Sequence, residues 1–480
     1  MTSTLGKDLN ISRILSGLWQ VADMEREGAL DPDGAAEALV PYVEAGLTTF
    51  DMADHYGSAE IIAGRLKKKV GDTSSVQLLT KWVPQPDVNS KNEVRAAVHH
   101  ALQRMDVEVL DLLQFHAWNY AHPGWLDCLY WLQELKEEGH IMHLGLTNFD
   151  AAHLKMVLDS GIDVVSNQVS YSLIDQRASH ALTDLCNQYG VGVLAYGTVA
   201  GGFLTERWLK APEPDWEKLE TWSQMKYGRF IQEAGGWEAL QNVLEALHHV
   251  ANNKGVSMAN VASRFILDQP AVAGVIIGVR PGRSNHLSDN LRLYSLNLGE
   301  SDRKILHKAM EVLGQIPGDC GDEYRKPPFL TASGDLSHHL EEMPAPYDSV
   351  VQPGGRVQAL SGTIWEDLAG FSRAIRQGNR ILVSGTTATH GNQVIGGNDP
   401  RSQMHFVIDK IEGAIQSLGG QLSDVIRTRV YVQHMEHWEP ISRVHGERFS
   451  HIQPANTLIQ ANIIGDEYLV EVEAEAMLHD

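Results

Sequence analysis

The sequence predicts an α/β chain in which a closed (β/α)₈ barrel, a TIM barrel, precedes a smaller α+β domain. Short apolar runs alternate with helix-length amphipathic segments through the first 280 residues, as parallel strands covered on both faces should. The runs are apolar inside and repeatedly polar at their ends, which suits strands whose ends form a barrel rim. A stretch rich in proline, 316–356, then interrupts the alternation, and the elements beyond it follow the order ββαβαββ. At 480 residues the chain exceeds one ordinary domain. A barrel is expected over 1–318, a linker over 319–355 and a second domain over 356–480.

The elements follow in order. Residues 11–18 read as the first strand, and Asp31-Pro32 opens a helix with an N-cap and a proline in its first turn. Leu39, Tyr42 and Val43 share a face, and Gly46 stops the helix. Gly46-Leu47-Thr48-Thr49-Phe50 is the strand before Asp51, and Ser58 caps the helix that follows. Further strands end at Lys81, His116, Thr147-Asn148, Gln168 and Tyr196, with helices between them. The eighth runs from Gly274 to Ile277 and leads to Arg280. An open doubly wound sheet would show Gly-x-Gly-x-x-Gly after its first strand; Ser16-Gly17-Leu18-Trp19 stands there instead. In the second domain, Phe371–Gln377 and Arg380–Ser384 read as a hairpin about Gly378-Asn379. Asp399-Pro400 opens a long helix there.

Composition narrows the function. The net charge of -22 offers no footprint for nucleic acid or an anionic membrane. Cys128, Cys186 and Cys320 are scattered, with neither a disulfide framework nor a metal-ligand spacing, so a reducing, cytoplasmic setting and no metal are expected. No apolar core marks the first residues as a signal peptide, and no run approaches the ~20 apolar residues of a membrane span.

The rim set is Asp51, Lys81, His116, Asn148, Gln168, Tyr196 and Arg280, with Tyr56 in the loop after Asp51. Reducing a carbonyl needs a hydride donor and an acid for the forming alkoxide. A tyrosine hydroxyl, with an ordinary pKa of about 10, must be tuned for that work. An ammonium such as Lys81 would stabilise the tyrosinate, Asp51 would keep that ammonium charged, and His116 would orient the substrate oxygen.

Asp51-x-Ala53-x-x-Tyr56-Gly57-x-x-Glu60, at a strand-to-helix turn, resembles the aldo-keto reductases, and the resemblance covers about residues 10–315. It implies NAD(P)H-dependent carbonyl chemistry with Asp51, Tyr56, Lys81 and His116 as the catalytic tetrad. Gly145-Leu146-Thr147-Asn148-Phe149 resembles the family's Gly-Val-Ser-Asn-Phe, which implies that Asn148, with Gln168, holds the nicotinamide carboxamide. Tyr196 matches the aromatic that stacks on the nicotinamide ring. Gly17, Leu18, Trp19, Thr147, Gly197, Thr198, Val199, Gly278, Asp289 and Asn290 complete the implied cofactor set. The chain departs from the family at Gly197-Thr198-Val199, where Ser-Pro-Leu is usual, and its eighth-strand loop is about two residues longer. Arg280 and Arg283 lie in that loop, and paired guanidinium groups favour a 2′-phosphate, so NADP (NADPH) is the expected cofactor. Trp82 and Trp118 are expected beside a small carbonyl substrate, and Thr205–Trp237, rich in tryptophan, reads as a lid or as surface packing. The family also resembles the potassium-channel beta subunits, which leaves open a non-catalytic NADP sensor.

The second domain resembles the Rid family, the YjgF-like imine deaminases of chorismate-mutase-like fold. Phe371–Gly378, Val383–Thr386, Asp424–Val432, Pro454–Thr457 and Val470–Ala474 carry the likeness. It implies a homotrimer with clefts between subunits. Glu471 matches the family's acid. Asn456 stands where the family has the arginine that grips a carboxylate, and an amide offers no bidentate ionic grip. The domain is therefore either an oligomerising module or a cleft for another ligand, including one for an unstable imine-type product of the barrel.

Overall fold

The computed structural model describes residues 2–20, 30–85, 90–280, 285–331 and 343–479. The chain divides into two compact units, residues 1–118 with 131–151 and 164–341, and residues 119–130 with 152–163 and 342–480.

Strands β1 (Thr2–Leu5) and β2 (Leu9–Ser12) form an antiparallel hairpin turned by Gly6 at φ +58°. Its Leu5, Leu9 and Ile11 pack with Leu15, Leu79, Leu112, Val165 and Leu194, beneath the polar strand ends. The expected single strand over 11–18 is thus two pieces, β2 and β3 (Ile14–Gly17). The break falls at Arg13, whose guanidinium donates to the carbonyls of Leu267, Val272 and Ala273.

The Asp31 side chain accepts from Asp33 N and Gly34 N and caps α1 (Pro32–Glu37). Pro41 lies in the first turn of a separate α2 (Val40–Glu44). There follow β4 (Thr49–Asp51), α3 (Ala59–Lys69), β5 (Gln77–Trp82), α4 (Lys91–Met105), β6 (Leu110–His116) and α5 (Gly124–Glu137). Next come β7 (Ile141–Thr147), α6 (Ala151–Asp159), β8 (Val164–Ser170), α7 (Ala181–Tyr189) and β9 (Gly192–Tyr196). Helices α8 (Trp222–Glu233), α9 (Gly236–Lys254) and α10 (Met258–Leu267) precede β10 (Val272–Gly278), which α11 (Leu287–Ser295) and α12 (Glu300–Met310) follow. Eight parallel strands close in the order β10-β3-β4-β5-β6-β7-β8-β9, the expected barrel.

The stretch expected to be a linker opens differently. Residues 319–331 carry α13 (Asp322–Arg325), and its side chains meet the ends of the barrel strands. Gly321 makes the entry at φ +82°; a Cβ there would lie 2.1 Å from the Asn148 carbonyl oxygen.

In the second unit the sheet begins earlier than expected, with β11 (Asp348–Val351) and β12 (Val357–Leu360), followed by the short α14 (Ile364–Ala369). The hairpin is β13 (Ala374–Gln377) and β14 (Arg380–Thr387), turned by Gly378 at φ +62°. A small pair, β15 (Thr389–His390) and β16 (Gln393–Val394), precedes α15 (Pro400–Gln416), which Asp399 caps through Ser402 N. Then come β17 (Val425–Val432), α16 (Trp438–Phe449), β18 (Ala455–Gln460) and β19 (Val470–Met477). The seven-stranded order is β11-β12-β13-β14-β19-β17-β18, antiparallel but for β17 with β18.

Candidate active site

The loop after β4 is laced to the next strand. Met52 N donates to Leu79 O and Asp54 N to Lys81 O, at 2.9 and 3.0 Å. Farther along, Glu60 is a buried clasp: it accepts from Thr80 Oγ1 at 2.6 Å and from Arg104 Nε at 2.7 Å. Arg104 also donates to Gly57 O, so the acid that ends the motif fixes the turn carrying Tyr56. Burial raises the Glu60 pKa, and its bonds to Thr80 and Arg104 oppose that rise.

Of the four tetrad residues expected from the sequence, Asp51, Lys81 and Tyr56 meet at one end of the barrel, and His116 ends the neighbouring strand β6. Lys81 Nζ donates to Asp51 Oδ2 at 2.7 Å, and both side chains are buried. Asp51 Oδ1 accepts from Gln168 Nε2 at 2.7 Å and Gln114 Nε2 at 3.3 Å. Lys81 Nζ lies 5.2 Å from the Tyr56 ring centre, and Trp19 crosses that ring edge-on at 4.6 Å. Burial, then the Asp51 charge, pushes the Tyr56 phenol well above its ordinary pKa, so it holds its proton at neutral pH. Burial lowers the Lys81 pKa, and Asp51 works against that fall.

His116 is buried. Neither ring nitrogen has a partner in full hydrogen-bond geometry, although the Thr147 backbone stands close. Burial, with help from the Arg325 charge, lowers its pKa to about 3, so the ring is neutral.

The expected cofactor residues divide into two groups. Asn148, Gln168 and Tyr196 adjoin one another: Asn148 N donates to Gln168 O, and Tyr196 Oη donates to Asn148 Oδ1 at 2.8 Å. Asn148 Nδ2 and Gln168 Oε1 make no hydrogen bond among the described residues, leaving one donor and one acceptor, the complement of a primary carboxamide. The nicotinamide end of the cofactor therefore fits. Gly17, Leu18 and Trp19 follow one another at the end of β3, where Leu18 N donates to Asp51 O.

The remaining expected contacts are engaged inside the fold or sit at its edge. The Thr147 hydroxyl donates to Gln168 O, and Thr198 Oγ1 pairs with Ser263 Oγ. Gly197, at φ +72°, must be glycine because a Cβ would strike the Tyr227 hydroxyl; Val199 follows, half-buried. Both Asp289 carboxylate oxygens are held by Ser257 and Asn260, and Asn290 is buried. Gly278 is exposed and Arg280 half-buried, while Arg283 lies outside the described residues. Trp118 packs edge-on against His116 at 4.5 Å; Trp82 is buried against Phe115 instead.

Three further groups at the site were not foreseen. Gln114 joins Asp51 and Gln168 from inside β6. Tyr324 of α13 meets His116 edge-on at 5.5 Å. Lys226 of α8 donates to Tyr324 Oη at 2.7 Å, to Tyr196 Oη at 3.2 Å and to Glu323 Oε1 at 3.3 Å. The segment 205–237 packs its tryptophans in two places. Trp208, Trp216 and Trp237 cluster about Phe203, while Trp222 packs on Trp19 beside Tyr56.

Residues 13–311, more than half of the chain, match the family model described as "Aldo/keto reductase family". The chain belongs to the aldo/keto reductase family. It is thus a member of an oxidoreductase family that works with nicotinamide cofactors. Residues 362–478 match the model described as "Endoribonuclease L-PSP", the Rid or YjgF group. The NADH-specific methylglyoxal reductase of Escherichia coli is 23% identical over 330 residues, 64% of this chain and 97% of that protein. Flagellar radial spoke protein 5 of Chlamydomonas reinhardtii is 26% identical over 315 residues, 52% of this chain, which spans 60% of that protein's length. The barrel also resembles a glycerol dehydrogenase of Gluconobacter oxydans in fold, with TM-score 0.54 and 21% identity over 66% of this chain and 97% of that one.

In the Rid-like domain, Asn456 is exposed on β18 and donates to Thr428 Oγ1 at 2.9 Å. Glu471 lies on β19 over Gly385, and burial raises its pKa while the nearby Arg373 charge opposes the rise. Asn456 pairs with Thr428 and Glu471 with Tyr431 on the strand between, so strand spacings put them roughly 14 Å apart within one chain. No helix among the described residues is long and apolar enough to cross a membrane. No group of metal-ligating side chains occurs among them either.

Proposed function

We propose that the barrel is an NADP-dependent reductase that interconverts an aldehyde or ketone and its alcohol, with Tyr56 as the acid. The observation that carries this reading is the meeting of Tyr56, Lys81 and Asp51, with His116 at the end of the next strand, beside the open amide pair of Asn148 and Gln168. When bound, the nicotinamide supplies or accepts the hydride. The neutral His116 ring hydrogen-bonds the substrate oxygen and orients it. Tyr56 Oη then gives its proton to that oxygen as negative charge develops there. The ammonium of Lys81, kept charged by Asp51, stabilises the phenolate left behind. Trp19, Trp118 and Tyr324 wall the position and exclude water.

Arg280 supports NADP over NAD, because a guanidinium at the end of β10 suits a 2′-phosphate. Comparing kcat/KM with NADPH and NADH tests the preference. Tyr56→Phe should lower kcat by about 10²–10⁴-fold while NADPH binding stays nearly unchanged; a variant as active as the parent would overturn the role.

The Rid-like domain is read as the oligomerising part of a cytoplasmic homotrimer. Its uncovered sheet face shows Leu382, Ile426 and Met477 among the cross-strand pairs Arg380–Glu475 and Arg429–Glu473. The separation of Asn456 from Glu471 within one chain suits a cleft completed by a second copy. Light scattering should give three times the 53.1 kDa chain mass; a monomer would refute the trimer.

A further inference from the structure

One buried cation in the barrel unit has no part in the proposed proton transfer. Lys226 reaches from α8 to three partners: Glu323 and Tyr324 on α13, and Tyr196 at the end of β9. Its ammonium is 3.2 Å from the Tyr196 hydroxyl but 4.9 Å from that ring's centre. It therefore grips the hydroxyl end of the ring and does not cap its centre. The same holds at Tyr324, with 2.7 Å to the hydroxyl and 4.5 Å to the centre.

Because Lys226 donates to the Tyr196 oxygen, the hydroxyl proton is free to point at Asn148 Oδ1, where the 2.8 Å bond is found. That bond turns Asn148 so that Nδ2 is the amide atom left over. The order of control runs from Glu323 to Lys226, to Tyr196 and finally to Asn148.

Glu323 is itself fixed. Arg177 bridges it to Asp175, with both contacts at 2.9 Å, in a buried group of two acids and two bases. Burial opposes the Glu323 charge, but Arg177 and Lys226 hold its pKa down to about 2. Arg325 anchors the same short helix to Ala117 O and Cys320 O at 2.9 and 3.0 Å. Glu323 and Tyr324 lie beyond residue 311, where the match to the reductase family ends.

We propose that Lys226, held by Glu323, is a positioning residue that sets Tyr196 and Asn148 for the nicotinamide end of the cofactor, making residues 319–325 part of the dinucleotide site. The proposal rests on the cofactor reading above and deepens it. The short segment after the barrel then works as a wall of the reductase site.

Binding to the full chain tests this without turnover. The titrant is whichever of NADPH and NADH binds the parent more tightly, paired with a ligand lacking the nicotinamide, adenosine 2′,5′-bisphosphate or ADP-ribose. Lys226→Met should weaken the dinucleotide about tenfold, the cost of an ionic hydrogen bond, and leave the truncated ligand unchanged. Lys226→Arg, which keeps a cation, should recover most of that loss. Tyr324→Phe, which deletes only a hydroxyl, gives the same test at lower risk to folding and should show a smaller, equally selective loss. Equal weakening of both ligands would mean a merely structural lysine, and unchanged dinucleotide binding would mean no role; either overturns the proposal. A parent chain that binds neither dinucleotide would instead overturn the cofactor reading on which it stands.

Discussion

The neutral state of His116 makes the fold acid-sensitive by a predictable amount. In an unfolded chain this imidazole titrates near 6.5; in the barrel, burial and the Arg325 charge bring it to about 3. The unfolded state therefore binds the proton first, so this contribution to stability is complete above the unfolded value. It is lost as pH falls from 6.5 toward the folded value. Each unit of difference is worth ~1.36 kcal/mol, so near pH 5 the loss is about 2 kcal/mol, and over the full window about 5 kcal/mol. Guanidinium unfolding followed by tryptophan fluorescence at about pH 7, 6 and 5 measures it, with His116→Gln as the reference that cannot titrate. The parent should lose about 2 kcal/mol more than the variant across that range. Other groups, including those of the second unit, cancel in the difference. Parallel profiles would refute the argument, since they would mean that His116 charges in place. The same neutrality predicts that turnover has no acid limb near 6.5 arising from this residue.

Two further perturbations test the framework around the site. Lys81→Met should destabilise the chain by about 3 kcal/mol, the lower end for breaking a buried pair, because Asp51 keeps its bonds from Gln168 and Gln114; the same unfolding assay reads it. Gly321→Ala should cost about 1–3 kcal/mol, because its φ is +82° and the new Cβ would press on the Asn148 carbonyl. It should also weaken dinucleotide binding in fluorescence titration, since it pushes α13 away from the strand ends.

The sequence by itself determined the barrel and most of its rim. Strand and helix periodicities are local, and a parallel strand buried on both faces announces itself as an unbroken apolar run. Where such a run ends on Asp51, Lys81, His116 or Tyr196, closure of the barrel alone brings the side chain to one end. The caps at Asp31 and Asp399 were legible for the same local reason. Other features were settled only by contacts between distant residues. The hairpin arm is invisible because Ile11 and Leu15 look alike in sequence, and only the barrel carbonyls that bind Arg13 divide them. Gln114 lies within an apolar strand and gains meaning only when β6 sets it beside Asp51. Above all, Asp322–Arg325 is a single helical turn among prolines and glycines, too short for periodicity to register. Its place at the site comes from tertiary ion pairing, in which Arg177 and Lys226 draw Glu323 into a region where an unpaired carboxylate would be costly.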